Sequence, residues 1–196
     1  MVTVRETFED EDWYARDLTG ERFEGCTFRE VDLTECSGTG AVFESCEFAN
    51  CRLNAATLSG VAFAGCTFRR TSFFAATLEG CKLSGSVFVE CTLRPLTVVG
   101  GQWRGVTLRG ANLSGLDLSG LPLQDADLSE ARLDGTVLTG ADLSRAMLRG
   151  TSLEGADLRG ARLDAVDLSA ARLKGTKLDL NGAVLLAEQH GAVVEA

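Results

Sequence analysis

The segment Ala111-Asn112-Leu113-Ser114-Gly115 returns as Ala141-Asp142-Leu143 and again as Ala156-Asp157-Leu158-Arg159-Gly160. The leucine at the centre of each copy lies on a five-residue beat that runs from Leu18 to Leu178 without slipping. Of the thirty-three positions on that beat, only Gly38 is not Leu, Phe, Val or Trp. A helix places apolar residues at a period of 3.6 and a strand at a period of 2, so a strict period of five fits neither. It fits a chain that turns a corner every five residues.

Small residues keep the same time. Two places before each large residue stand Cys26, Val31, Cys36, Ala41, Cys46, Cys51 and Ala56, and later Ala126, Ala131, Ala141, Ala156 and Ala161. Two positions in five therefore point inward. Eighteen of the 22 glycines fall at positions divisible by five, and only Gly38, Gly101, Gly182 and Gly191 depart from the rule. Glycine adopts the positive φ of a type II turn without steric cost, so short strands and tight turns alternate. Four such sides would close a square coil.

The A(D/N)LxG spelling resembles the pentapeptide-repeat proteins over roughly residues 18–180. That resemblance implies an all-β fold, a right-handed quadrilateral β-helix with twenty residues per coil. Residues twenty apart would then stack at the neighbouring-strand spacing of about 4.8 Å. One column holds Phe28, Phe48, Phe68, Phe88, Leu108, Leu128, Leu148 and Leu168, and another holds Phe23, Phe43, Phe63, Leu83, Trp103, Leu123, Leu143 and Leu163. About eight coils at that spacing give a rod roughly 40 Å long, its core built of ladders instead of one globular centre.

The chain divides into an acidic leader with a partial first coil (1–17), the β-helix (18–180), and a C-terminal helix, cap and dimerisation segment (181–196). The leader carries Glu6, Glu9, Asp10, Glu11, Asp12 and Asp17 against Arg5 and Arg16, which is −4 of the total of −9. It is expected to start frayed, with Trp13 lidding the open end of the core. Its polarity is wrong for a secretion signal, and no apolar run reaches the roughly 18 residues a membrane helix needs. These features place the protein in the cytoplasm with no membrane partner.

All seven cysteines, Cys26, Cys36, Cys46, Cys51, Cys66, Cys81 and Cys91, occupy the small inward position. There they act as small buried hydrophobes, reduced and free of metal. The only histidine is His190, and no nucleophile has a base at a workable spacing, so the chain is read as a non-enzyme without cofactor. Asp117, Asp127, Asp142, Asp157 and Asp167 precede large residues and point outward. They either bond local backbone on a solvated surface or form a binding surface.

After Leu180 the beat becomes helical. Asn181 is the expected N-cap and Gly191 the C′ residue, with Ala183, Leu186, Ala187 and His190 along one face. A rod end needs a cap against edge pairing. This one carries more apolar surface than a cap requires, and Val184, Leu185, Leu186, His190, Val193 and Val194 are assigned to a twofold homodimer interface.

Two stretches, Gly85–Thr97 and the tail around Asp179, Ala183-Val184, Ala187 and His190-Gly191, resemble a narrower branch of the family, the mycobacterial fluoroquinolone-resistance pentapeptide proteins, which are similar in what they imply to the Qnr proteins. That resemblance implies a C-terminally joined dimer that imitates duplex DNA, binds DNA gyrase and does not itself bind nucleic acid. It carries Asp117, Asp127, Glu130, Asp142, Asp157 and Asp167 as gyrase-binding residues. Asp117 and Asp157 are read on one side, Asp127, Glu130 and Asp167 on the next, and Asp142 on a third. Residues 21–180 carry only −3, so mimicry must depend on where acids cluster. Self-protection against a gyrase poison and a passive protein-binding scaffold are the alternatives.

One stretch departs from the motif. Arg94 to Trp103 has Pro95 at a corner and Gly101 at a core position, which suggests a bulge or bend. Phe74, just after Phe73, should lie outside.

Overall fold

The computed structural model describes residues 2–195. Met1 and Ala196, the outermost residues of the expected leader and tail, lie outside the described residues. The chain winds into a parallel β-solenoid with four sides, closed at its C-terminal end by one helix.

Three sides form parallel sheets in the first half of the rod. The first contains strands Val2–Val4, Arg22–Glu24, Val42–Glu44 and Ala62–Ala64. The second contains Thr7–Glu9, Thr27–Arg29, Glu47–Ala49, Thr67–Arg69 and Val87–Val89. A third is formed by Ser37–Thr39, Thr57–Ser59, Ala76–Glu79 and Leu96–Val99. The fourth side is held by single bridges, Asp12 to Asp32 to Arg52 to Ser72 to Thr92. Every pairing is offset by twenty residues, from Val2 opposite Arg22 to Asp157 opposite Lys177. The twenty-residue coil is thus a property of the molecule. Beyond the fifth coil, single bridges replace strands but keep the same offset.

The local cause is the corner. From position 5 to position 175, every multiple of five except Pro95 and Ala170 has positive φ, and fifteen of those residues are not glycine. A left-handed conformation costs an L-residue roughly 1–2 kcal/mol. The coils offset that cost with hydrogen bonds, since the corner amide donates to the next coil: Arg5 N to Glu24 O at 2.8 Å, and both Asp10 N to Arg29 O and Glu30 N to Ala49 O at 2.9 Å. Glycine is therefore favoured at the corner without being required there.

Inside, phenylalanine rings stack coil on coil, Phe28 on Phe48 at 4.6 Å and Phe23 on Phe43 at 4.9 Å, before leucines take over. Several of the small inward residues are polar and donate to one particular acceptor, the carbonyl 23 residues earlier. Thr71 Oγ1 donates to Phe48 O at 3.1 Å, Ser86 Oγ to Phe63 O at 2.6 Å, and the thiols of Cys46, Cys66 and Cys81 point to the equivalent carbonyls of Phe23, Phe43 and Leu58. These buried donors are thereby satisfied, whereas the buried Trp103 indole N–H has no partner among the described residues. No disulfide forms among the seven cysteines.

Four expectations need correction. Residues 2–17 are not frayed, because the strands at Val2–Val4 and Thr7–Glu9 pair in register with the second coil. Trp13 is buried there under the Arg16 guanidinium, 3.8 Å above its ring. No bulge interrupts residues 94–103, since Ala76 pairs with Leu96 and Lys82 with Gln102 at the usual offset. The irregularity there is confined to the cis Arg94–Pro95 bond and to Gly101 at φ 111°.

The helix α1 (Leu180–Gln189) is capped by Asp179 and not by Asn181, because the Asp179 carboxylate accepts Gly182 N–H at 3.0 Å. Its inner face is also different from the one expected. Ala183 and His190 are exposed, while Gly182 is buried and Leu185 and Leu186 pack on the last coil. Gly191 does follow the helix with positive φ. Among the described residues no helix is long and apolar enough to cross a membrane.

Candidate protein-binding surface

Though Ser114, Ser129, Ser144, Ser152 and Asp157 are themselves buried, on most sides of the coil the residues flanking the inward one face solvent. Where the first of them is Asp, its carboxylate turns onto the backbone two residues on. Asp117 accepts Ser119 N–H at 3.0 Å, Asp127 accepts Ser129 N–H at 2.9 Å, and Asp142 and Asp167 accept Ser144 and Ser169 N–H, both at 3.0 Å. These are Asx turns that fix the side chain while leaving one carboxylate oxygen outward. Local bonding thus holds these carboxylates, and Asp117 and Asp167 remain exposed to solvent.

Cations then separate the six candidates. Glu130, at a positive-φ corner, accepts Arg109 at 2.5 Å. Asp142 accepts Gln124 at 2.7 Å and pairs with Arg162 at 3.3 Å. Partial burial pushes the Asp142 pKa up, but the Ser144 and Gln124 bonds and Arg162 outweigh it and hold the group below its ordinary range. Asp157 is nearly buried beneath Arg159, which donates at 2.6 Å, and Lys177 stands 3.9 Å away. The Arg159 hydrogen bonds hold its pKa down at about 2. Asp117, Asp127 and Asp167 have no ion-pair partner among the described residues.

The sides are also arranged differently from the sequence reading. Asp117 and Asp127 are ten residues apart in a twenty-residue coil, so they lie on opposite sides of the rod and not on adjacent ones. Asp142 lies on the side between them. The six residues therefore spread around three consecutive sides. Asp127 and Asp167 do share a surface, at a cavity of about 440 Å³ also lined by Arg109, Arg149 and a half-exposed Met147. Phe74 is exposed, as its place in the repeat requires.

The strongest negative surface lies elsewhere. Residues 1–35 hold eleven carboxylates against four arginines, −7 of the chain's −9. Because the first coil is paired to the second, Glu6, Glu9, Asp10, Glu11 and Asp12 are presented on ordered backbone, with Glu21, Glu24, Glu30, Asp32 and Glu35 behind them. Counting charge per coil of twenty, instead of per leader and body, would have found this tip from the sequence. Of the proposed interface residues, Leu185 and Leu186 are half-buried against their own rod, Val184 is half-buried, and His190, Val193 and Val194 are exposed.

The family model for a pentapeptide repeat region matches residues 16–86, and that for pentapeptide repeats in eight copies matches residues 122–160 and 141–179. The chain belongs to the pentapeptide-repeat family. Among solved structures it resembles a trypsin-treated variant of QnrB1, described as a plasmid-mediated fluoroquinolone resistance protein. The TM-score is 0.83 at 21% identity, over 100% of both chains. Full-length QnrB1 superposes with a TM-score of 0.67 at 20% identity, over 98% of this chain and 100% of that one. At such identities the likeness is one of fold. No curated protein sequence matches this chain.

Proposed function

We propose that this pentapeptide-repeat protein is a DNA mimic that binds DNA gyrase, inhibiting the enzyme and shielding it from fluoroquinolones. The observation that carries the reading is the end-to-end likeness to QnrB1, a fluoroquinolone resistance protein, over the whole length of both chains. The physical rationale is competition. Gyrase must hold DNA on a positive surface, and a rigid negative rod can occupy that surface without being a substrate. Binding here is by surface and not by catalysis. The protein would work in the cytoplasm as a homodimer joined through its C-terminal tails.

The test is supercoiling by purified gyrase, titrated with this protein with and without a fluoroquinolone and ATP. Loss of supercoiling or relief of drug-trapped cleavage supports the reading, and no effect on either overturns it. Asp127→Asn, Asp142→Asn and Asp167→Asn follow as probes, because asparagine keeps the oxygen that accepts the i+2 amide while removing charge. They are expected to weaken inhibition without unfolding the rod.

A further inference from the structure

Through the coils next to the first, the amide that opens a side donates to the coil before it. Thr27 N reaches Glu6 O and Asp32 N reaches Glu11 O, both at 2.9 Å, and Ser37 N reaches Arg16 O at 3.0 Å. The matching amides of the first coil belong to Val2, Thr7, Asp12 and Asp17, and no described residue offers them a carbonyl from a preceding coil. The strands Val2–Val4 and Thr7–Glu9 accordingly stand at the outer ends of their sheets. Thr3 and Phe8, the inward residues of these strands, are only partly covered.

The opposite rim is treated differently. There the Asp179 carboxylate accepts Gly160 N–H at 2.8 Å, and the Gln189 side chain accepts Leu168 N–H at 2.9 Å and donates to Val166 O at 2.6 Å. Dedicated side chains satisfy one rim, and the other presents a row of outward backbone groups. A sheet edge in that state is a template for another strand.

Charge selects the occupant. The rim is ringed by Glu6, Glu9, Asp10, Glu11 and Asp12, all exposed, within the segment that carries −7. Two such tips repel each other, which disfavours a second copy docked rim to rim. Lys or Arg on the outward side of an added strand would instead sit about one strand spacing, roughly 4.8 Å, from these carboxylates. Its inward residues would cover Phe8. We propose that this N-terminal rim binds an extended basic segment of another protein by strand addition, a contact that goes beyond the gyrase reading and does not rest on it.

The experiment uses the full chain and a fluorescein-labelled peptide of alternating lysine and threonine, about ten residues long. Controls are the same peptide with alternate backbone amides N-methylated, and a glutamate–threonine counterpart. Anisotropy in physiological salt should show binding of the first peptide only. N-methylation should weaken it at least about tenfold, as expected for losing one or two backbone hydrogen bonds with charge unchanged. The double variant Glu9→Lys, Glu11→Lys should weaken binding by a similar factor, whereas Glu154→Lys, exposed in the distal half, should not. Equal binding of the methylated peptide would reduce the contact to charge alone and overturn the proposal. So would failure of the lysine–threonine peptide to bind.

Discussion

The side-chain amide of Gln189 donates to the Val166 carbonyl at 2.6 Å while its oxygen accepts the Leu168 amide at 2.9 Å. One helical residue thus stands where the backbone of a further coil would stand. Gln189→Ala should leave these groups to water, and the amides of Leu168 and Ser169 should exchange about tenfold faster, the loss of one or two net hydrogen bonds. The first coils should be unaffected, because solenoid repeats couple chiefly to their neighbours. Hydrogen-exchange mass spectrometry resolves the two ends, and a uniform change along the rod would contradict this local role.

Two glycines at positive φ should respond very differently to alanine. At Gly60 a Cβ would meet nothing within 4 Å, and Ala15, Ala55 and Ala75 already hold the same conformation at other corners. Gly60→Ala should cost about 1 kcal/mol. At Gly101, φ is 111° and a Cβ would lie 2.3 Å from the Cys81 carbonyl oxygen. Gly101→Ala must push two coils apart, and a loss above about 3 kcal/mol or failure to fold is expected. Urea unfolding of the two variants beside the parent makes the comparison.

Thiols and carboxylates set opposite limits in pH. Burial pushes the Cys36 thiol up to about 12, and those of Cys51, Cys81 and Cys91 up to about 11, from an ordinary value of 9.0. The folded state keeps these protons after the unfolded chain has lost them, so their contribution is complete below pH 9 and disappears as pH rises toward 11 to 12. Hydrogen bonds from Arg52 and Arg159 hold Asp32 and Asp157 down at about 2, from 3.8. Their contribution is present above 3.8 and is lost as pH falls toward 2. Urea midpoints across pH should therefore be flat near neutrality and fall on both sides. Cys36, Cys51 and Cys81, all buried, should resist a thiol reagent at mildly alkaline pH until the rod unfolds.

The coil was legible because one period governs both the core and the corners: Leu113 and Leu118 are inward for the same reason that Gly115 and Gly120 turn. Its irregular parts were harder to read. Pro95 and Gly101 break the local pattern, yet the ladder from Ala76 to Leu96 keeps its register, since inter-coil hydrogen bonds outweigh a corner's preference. Asn181 has good N-cap chemistry, but Asp179 takes the role because its second oxygen also reaches Gly160 N–H. No sequence window contains that contact. The candidate acids were found by position in the repeat, whereas the neutralisation of Glu130 by Arg109 and of Asp142 by Arg162 depends on side chains one coil away. The acidic tip was visible as charge but was read as a loose leader, because the pairing of Val2 with Arg22 depends on a partner twenty residues on.

The tail gives a test that separates capping from assembly. Leu185 and Leu186 face their own rod, whereas Val193 is 87% exposed and Val194 is also exposed. Burying such side chains between two copies would stabilise a dimer by roughly 1.5–3 kcal/mol each. Val193→Glu with Val194→Glu should therefore yield a folded monomer that loses only the concentration-dependent part of the melting temperature, since neither residue packs in the core. Leu185→Glu should instead uncap the last coil and lower stability as well. Sedimentation velocity with far-ultraviolet melting distinguishes the outcomes. A parent that already sediments as a monomer would remove the tail-to-tail dimer from the proposed function and leave the rod to act alone.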